Sequence, residues 1–145
     1  MSNLDKVREF HKVFGHPAPD HPTIGDAKTR ELRIKLVADE LQELAEALGY
    51  QLFMTPRYGA ELVKMTDKVD LVETADALAD LEYVVLGGQV AFGIPGQEVF
   101  DEVQRSNMSK LGADGKPILA PDGKVVKGPN YSPPNLYPII ERGRE

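Results

Sequence analysis

Residues 72–88, VETADALADLEYVVLGG, decide how this chain is read. The stretch is rich in Ala, Leu and Val and carries no Lys or Arg, the composition of a buried helix. Yet Glu73, Asp76 and Asp80 fall within an arc of about 60° when each residue turns the helix by about 100°. A carboxylate taken out of water costs several kcal/mol, and like charges side by side add repulsion. A core helix that keeps three acids on one face therefore needs something positive against it.

The helix that holds this stretch is expected over about 67–92, stopped by Gly93 with Pro95 beyond. Upstream, about 27–48 read as a second long helix, with Asp26 as N-cap and Gly49 as stop. Its apolar stripe is Val37, Leu41, Leu44 and Leu48. Glu40 and Glu43, three apart, neighbour each other beside that stripe, whereas Asp39 and Glu46 point further toward solvent. Packed side by side, the two helices bring four or five carboxylates together. The nearby sequence offers little basic charge on those faces. Hard divalent cations prefer oxygen ligands, and Mg²⁺ takes carboxylates, waters and phosphate oxygens. The expectation is a Mg²⁺ (or Mn²⁺) site between two helices. The plainer alternative is that the acids pair with Lys or Arg from another helix, or face solvent.

The remaining chain is short-looped and mostly helical. Residues 3–14 make a helix ended by Gly15 and the Pro-rich HPAPDHPTIG. Residues 50–66, with Pro56 and Gly59, carry no clear pattern, and a short helical turn is the reading there. PGQEVFDEVQRSNMSK gives a fourth helix to about residue 108. Two turn signals follow, Asp114-Gly115 and Asp122-Gly123, around a candidate small hairpin. GPNYSPPNLYP is too proline-rich for helix and reads as an extended arm. Nothing alternates as βαβ units would. The fold class is all-α: an antiparallel helical bundle with an irregular C-terminal arm, one domain over 1–145 with a helical core at 1–110 and the arm at 111–145.

Composition narrows the function. The chain has 145 residues, 41% hydrophobic and 28% charged, ordinary for a globular domain. There is no Cys, which excludes disulfides and thiolate chemistry and is compatible with the cytoplasm. A net charge of −6 argues against direct nucleic-acid binding. No apolar run reaches the roughly 18 residues of a membrane span, and no secretory h-region is visible. His11, His16 and His21 show no metal-ligand spacing; His11, next to Phe10 in the first helix, reads as structural, with a base or sugar contact as the alternative. Gly87-Gly88 inside a helix points to close packing, such as at a subunit interface.

These residues resemble the all-α NTP pyrophosphohydrolases, in particular the MazG-like branch related to dimeric dUTPases, dCTP pyrophosphatases and phosphoribosyl-ATP pyrophosphohydrolases. ELQE supplies the first ExxE of that pattern, as Glu40 and Glu43, and ETAD supplies the second motif, as Glu73 and Asp76. DLEYVVLGGQVAFGI, VFDEVQRSNMSK, FHKVFG and the tail GKVVKGPNYSPPNL are similar to further segments of the branch. One departure stands out. If the last ligand directly precedes the LLY-like LEY, it is Asp80, and Ala77 occupies the place of its partner Glu. The expected ligands are then Glu40, Glu43, Asp76 and Asp80, with Glu73 as a fifth.

The resemblance implies metal-dependent hydrolysis of a nucleoside triphosphate between the α and β phosphates, giving monophosphate and pyrophosphate. It implies a deoxynucleotide substrate (dUTP, dCTP, dGTP or a modified nucleotide), a homodimer or homotetramer, and a cellular or phage origin. Asp39, Glu40 and Glu43 are the catalytic candidates, Asp39 or Glu43 as the base. Arg105, Asn107 and Lys110 are candidates for phosphate or sugar contact. Lys124, Lys127 and Tyr131 either close over the nucleotide or pack on a neighbouring subunit. The rival from another class is a non-catalytic helical dimerisation or interaction module with an acidic surface.

Overall fold

The computed structural model describes residues 1–144. Helix α1 spans Asn3–Phe14, α2 Ala27–Ala47, α3 Leu71–Ala91, α4 Gly96–Met108 and α5 Tyr137–Arg142. Strands β1 (Tyr50–Thr55) and β2 (Gly59–Lys64) lie between α2 and α3. Spatial contacts group the chain into two compact units, Met1–Pro19 with Thr23–Gly93, and Asp20–Pro22 with Ile94 onward. No single helix among the described residues is long and apolar enough to cross a membrane.

The first unit is built on α2 and α3. Each begins at an aspartate cap. The Asp26 carboxylate accepts from the Thr29 N–H at 2.7 Å, and that of Asp70 from the N–H groups of Val72 and Glu73 at 2.8 and 3.1 Å. Asp70 thus starts α3 four residues later than the apolar pattern predicts. Glu40 meets Asp80, while Arg33, earlier on α2, meets Gly87, later on α3, so the helices run antiparallel. Helix α1 starts in a capping box between Ser2 and Asp5 and lies on α3, where Asn3 donates to Glu82 at 3.0 Å. The buried apolar residues are small: Val7, Ala45, Ala77, Val90 and Ala91.

Residues 50–64 correct the sequence reading, because they form an antiparallel hairpin and not a helical turn. Tyr50 pairs with Lys64 and Thr55 with Gly59. Three residues cross between the strands, and Gly59 takes the left-handed φ of 70° that such a loop requires at its end. The Thr55 hydroxyl accepts from the Tyr58 N–H at 3.1 Å. At the open end Gly49, with φ 89°, turns the chain out of α2, and its carbonyl accepts from Met65 at 2.8 Å.

In the second unit the C-terminal arm is laid along α4. The Ser109 hydroxyl accepts from the Ser132 N–H at 2.9 Å. Arg105 donates twice to Glu102, at 2.8 Å each, and once to the Pro133 carbonyl at 3.2 Å. Glu102 also accepts from the Asn135 N–H at 2.8 Å. The small hairpin expected in the arm is a single bridge, Leu119 to Val125. The expected extended segment gives way to α5 at Tyr137, because Pro138 sits in its first turn, where no N–H is needed. Arg142 pairs α5 to Glu98 of α4 at 2.7 Å.

The Arg105 guanidinium, aided by the Asn135 N–H, holds the Glu102 carboxyl down at about 2. A carboxyl depressed on folding contributes stability above its ordinary value near 4.5 and loses it as pH falls toward about 2. Glu102→Gln is therefore expected to flatten the acid limb of the stability–pH profile in that window, measured by urea denaturation. An unchanged acid limb would show that this network does not hold the arm.

Candidate metal centre

Three carboxylates converge on the seam between α2 and α3. One ligand atom from each of Glu40, Glu43 and Asp80 lies within 4.8 Å of the others. The ExxE spacing brings Glu40 and Glu43 to one face of α2, and antiparallel packing brings Asp80 opposite them. Glu43 and Asp80 are exposed, whereas Glu40 is half-buried. Its Oε2 is fully buried and has no hydrogen-bond partner. Among the described residues, no Lys, Arg or His pairs with any of the three.

The electrostatics follow. Burial raises the Glu40 carboxyl above its ordinary value, and Glu43, Asp80, Asp39 and Asp76 push it further in that order. An orphaned carboxylate oxygen among like charges fits a hard divalent cation, which takes several carboxylate and water oxygens at once. The donor set is all oxygen, as Mg²⁺ or Mn²⁺ requires.

The other expected acids lie around this core. Asp76 is one turn before Asp80 on α3, near enough to act on Glu40 through its charge but outside the converging group. Glu73 is exposed a further turn away. Asp39 is exposed and paired with Lys35 at 2.7 Å. The six basic, amide and aromatic candidates belong to the second unit, where they fall into separate local pairs. Arg105 is engaged by Glu102, and the Lys110 ammonium donates to the Asn107 amide oxygen at 2.9 Å. Lys127 lies over the Tyr131 ring at 4.6 Å from its centroid, and the Lys124 N–H closes a turn on Asp122.

A cleft of about 340 Å³ opens from the carboxylates between α1, α2 and α3. Glu40 and Asp80 line it together with Phe10, His11, His16, Arg33, Tyr83, Gly87 and the aliphatic Leu32, Leu36 and Val84. Sequence reasoning left Phe10, His16 and Tyr83 unassigned and missed Arg33. The available signal was spacing: Arg33 precedes Glu40 by two helical turns and shares its face.

A family model described as phosphoribosyl-ATP pyrophosphohydrolase matches residues 7–107. The uncharacterized protein L479 of Acanthamoeba polyphaga mimivirus is 31% identical over 97 residues, 64% of this chain. The chain spans 32% of that relative's length. A solved structure of a candidate NTP pyrophosphohydrolase from Exiguobacterium sp. 255-15 aligns over 99% of this chain and 94% of its own, at 26% identity and a TM-score of 0.44.

Glu40 bears the consequences of the cluster most directly. Its raised carboxyl favours the fold at low pH, and that contribution is lost as pH rises through the folded value. Glu40→Gln is expected to melt at least as high as wild type without metal at neutral pH. Mg²⁺ or Mn²⁺ should raise the wild-type Tm and leave the variant's unchanged. An equal metal-induced rise in both proteins would place the ion elsewhere.

Proposed function

The chain belongs to the phosphoribosyl-ATP pyrophosphohydrolase family, within the MazG-like NTP pyrophosphohydrolases, and on that premise we propose that it hydrolyses a nucleoside triphosphate to monophosphate and pyrophosphate. The observation that carries this reading is the unpartnered, buried Glu40 oxygen within a triad of carboxylates. Glu40, Glu43 and Asp80 would hold Mg²⁺ or Mn²⁺, with Asp76 and Glu73 as further acids on the same helix. A cation held there would neutralise charge on the phosphate oxygens. Water adds at one phosphorus of the α–β anhydride, and the bridging P–O bond breaks with its electron pair leaving on oxygen. The proton goes to a carboxylate free of full metal engagement. Glu43 at the exposed rim is the first candidate, and Asp39, once released from Lys35, the second.

The substrate class is a deoxynucleotide, in the control of a cytoplasmic nucleotide pool. Arg105, Asn107, Lys110, Lys124, Lys127 and Tyr131 stand as candidates for phosphate, sugar or base contact. A homodimer or homotetramer is supported by an inversion of the usual core. The first unit buries mainly Val and Ala, while larger residues line an open apolar groove of about 700 Å³, with Ile34 71% and Met54 69% exposed. A second copy laid on α2 and α3 would cover these residues and build a four-helix bundle.

Pyrophosphate release from a panel of canonical and modified (d)NTPs, with phosphoribosyl-ATP included, tests the reading. The expected outcome is Mg²⁺- or Mn²⁺-dependent release from one or a few deoxynucleotides, reduced at least 100-fold in Asp80→Asn, by a protein that sediments as a dimer or tetramer. Release from phosphoribosyl-ATP alone would replace the deoxynucleotide reading. No release from any of them would leave an acidic interaction module.

A further inference from the structure

Arg33 is 7% exposed, and no hydrogen bond or salt bridge reaches its guanidinium among the described residues. Its Nε is fully buried without a partner. A guanidinium keeps its charge in proteins, so the fold holds a largely buried cation with no acid paired to it, its Nη groups left to the cleft. The carboxylate triad does not relieve it. Arg33 lies seven residues before Glu40, about 10 Å along α2 at about 1.5 Å per residue. On the facing helix Gly87 lies seven residues beyond Asp80, and a Cβ there would stand 2.9 Å from Arg33 Nη1 and 3.2 Å from His11 Nε2. The glycine is what allows the guanidinium and the imidazole to share the far end of the cleft.

His11 supplies the complementary group. Its Nδ1 lies 2.8 Å from the Pro17 carbonyl, which can only accept, so Nδ1 carries the proton. The ring is 3% exposed, and burial holds its pKa below the ordinary value, which keeps it neutral at pH 7. Nε2 is therefore a bare acceptor beside the guanidinium donors. The same cleft is lined by Phe10, His16 and Tyr83, whose rings pack on one another, Phe10 edge-on to Tyr83 at 5.6 Å and near-parallel to His16 at 6.1 Å. Such walls take a planar heterocycle.

We propose that this end of the cleft is a nucleobase subsite in which Arg33 donates to two adjacent acceptors of the base and His11 Nε2 accepts from the neighbouring N–H. The inference rests on the pyrophosphohydrolase reading for the phosphate end. The offset of Arg33 from Glu40, two helical turns along α2, is of the order of a nucleotide's length from phosphates at the carboxylates to a base edge beside Arg33. The required order is acceptor, acceptor, donor. Cytosine presents it as O2, N3 and N4–H₂, and guanine as N7, O6 and N1–H. Adenine, thymine and uracil present acceptor, donor, acceptor, which sets an N–H against the guanidinium. The subsite thus selects cytosine or guanine nucleotides.

The test compares the full-length protein with Arg33→Met and Arg33→Lys. Calorimetry with Mg²⁺ measures binding of dCMP, dGMP, dAMP, dTMP and dUMP, and pyrophosphate release is measured from the five triphosphates. Wild type is expected to bind dCMP or dGMP best. Both variants should lose that preference, with affinity for the preferred base falling roughly 10- to 100-fold. Arg33→Met should melt no lower than wild type without nucleotide, because it removes an unpaired charge. Should it fail to fold, Arg33→Lys carries the test, since lysine keeps the charge and loses the two-donor fork. A wild-type preference for adenine, thymine or uracil overturns the inference, as does a preference unchanged in the variants. Dissociation of an oligomer by Arg33→Met with base preference intact also overturns it, by giving Arg33 to a subunit contact. Selective monophosphate binding without turnover of any triphosphate would sink the pyrophosphohydrolase reading and leave the subsite standing.

Discussion

Convergence of Glu40, Glu43 and Asp80 at the α2–α3 seam is the constraint on which the rest of the structure depends. Like charges this close repel, and one oxygen of Glu40 is cut off from water without a donor. Apolar side chains border the acids on both helices and could fill the seam as well, so its packing alone does not call for acids. The surrounding elements instead hold the helices so that the acids stay together. Asp26 and Asp70 fix where each helix starts, Gly49 turns the chain out of α2, and the β1–β2 hairpin returns it to α3 in antiparallel register. Slipping α3 by one turn would exchange Asp80 for Asp76 and move the group that faces Glu40.

The same helices carry two other features that read as demands for company. Their outer face exposes large apolar residues while the inner contacts are made by Ala, Val and Gly. Small inner residues bring the helix backbones close, which narrows the seam and crowds the carboxylates. At the other end of the cleft the same closeness, through Gly87, buries Arg33 without a partner. A cation and an anionic cluster lining one cleft, set two helical turns apart along α2, describe a site for an elongated polar ligand more naturally than a protein interior.

Much of this was legible in the sequence, for identifiable reasons. Four helices announce themselves because their stops and caps are strong, as at Asp26 and Gly49, and because ExxE and the acid face of α3 stand out against an apolar background. The hairpin at 50–64 did not, because β2 is exposed along its whole length and so lacks the alternation that marks a half-buried strand. Pro56 and Gly59 did mark its loop but fit a helical turn as well. Helix α5 was hidden by prolines that a first turn tolerates. Choosing among Glu73, Asp76 and Asp80 needed the register of α3 against α2, a tertiary quantity. Arg33 escaped notice in the sequence, because its burial comes from the packing of α1 and α3 over it.

The most direct measurement is an anomalous difference map from crystals of the full chain grown with Mn²⁺. A peak is expected at the α2–α3 seam, about 2.1 Å from carboxylate oxygens of Glu40, Glu43 and Asp80. A well-ordered seam with no peak, or a Mn²⁺ ion bound only by other acids, would contradict it.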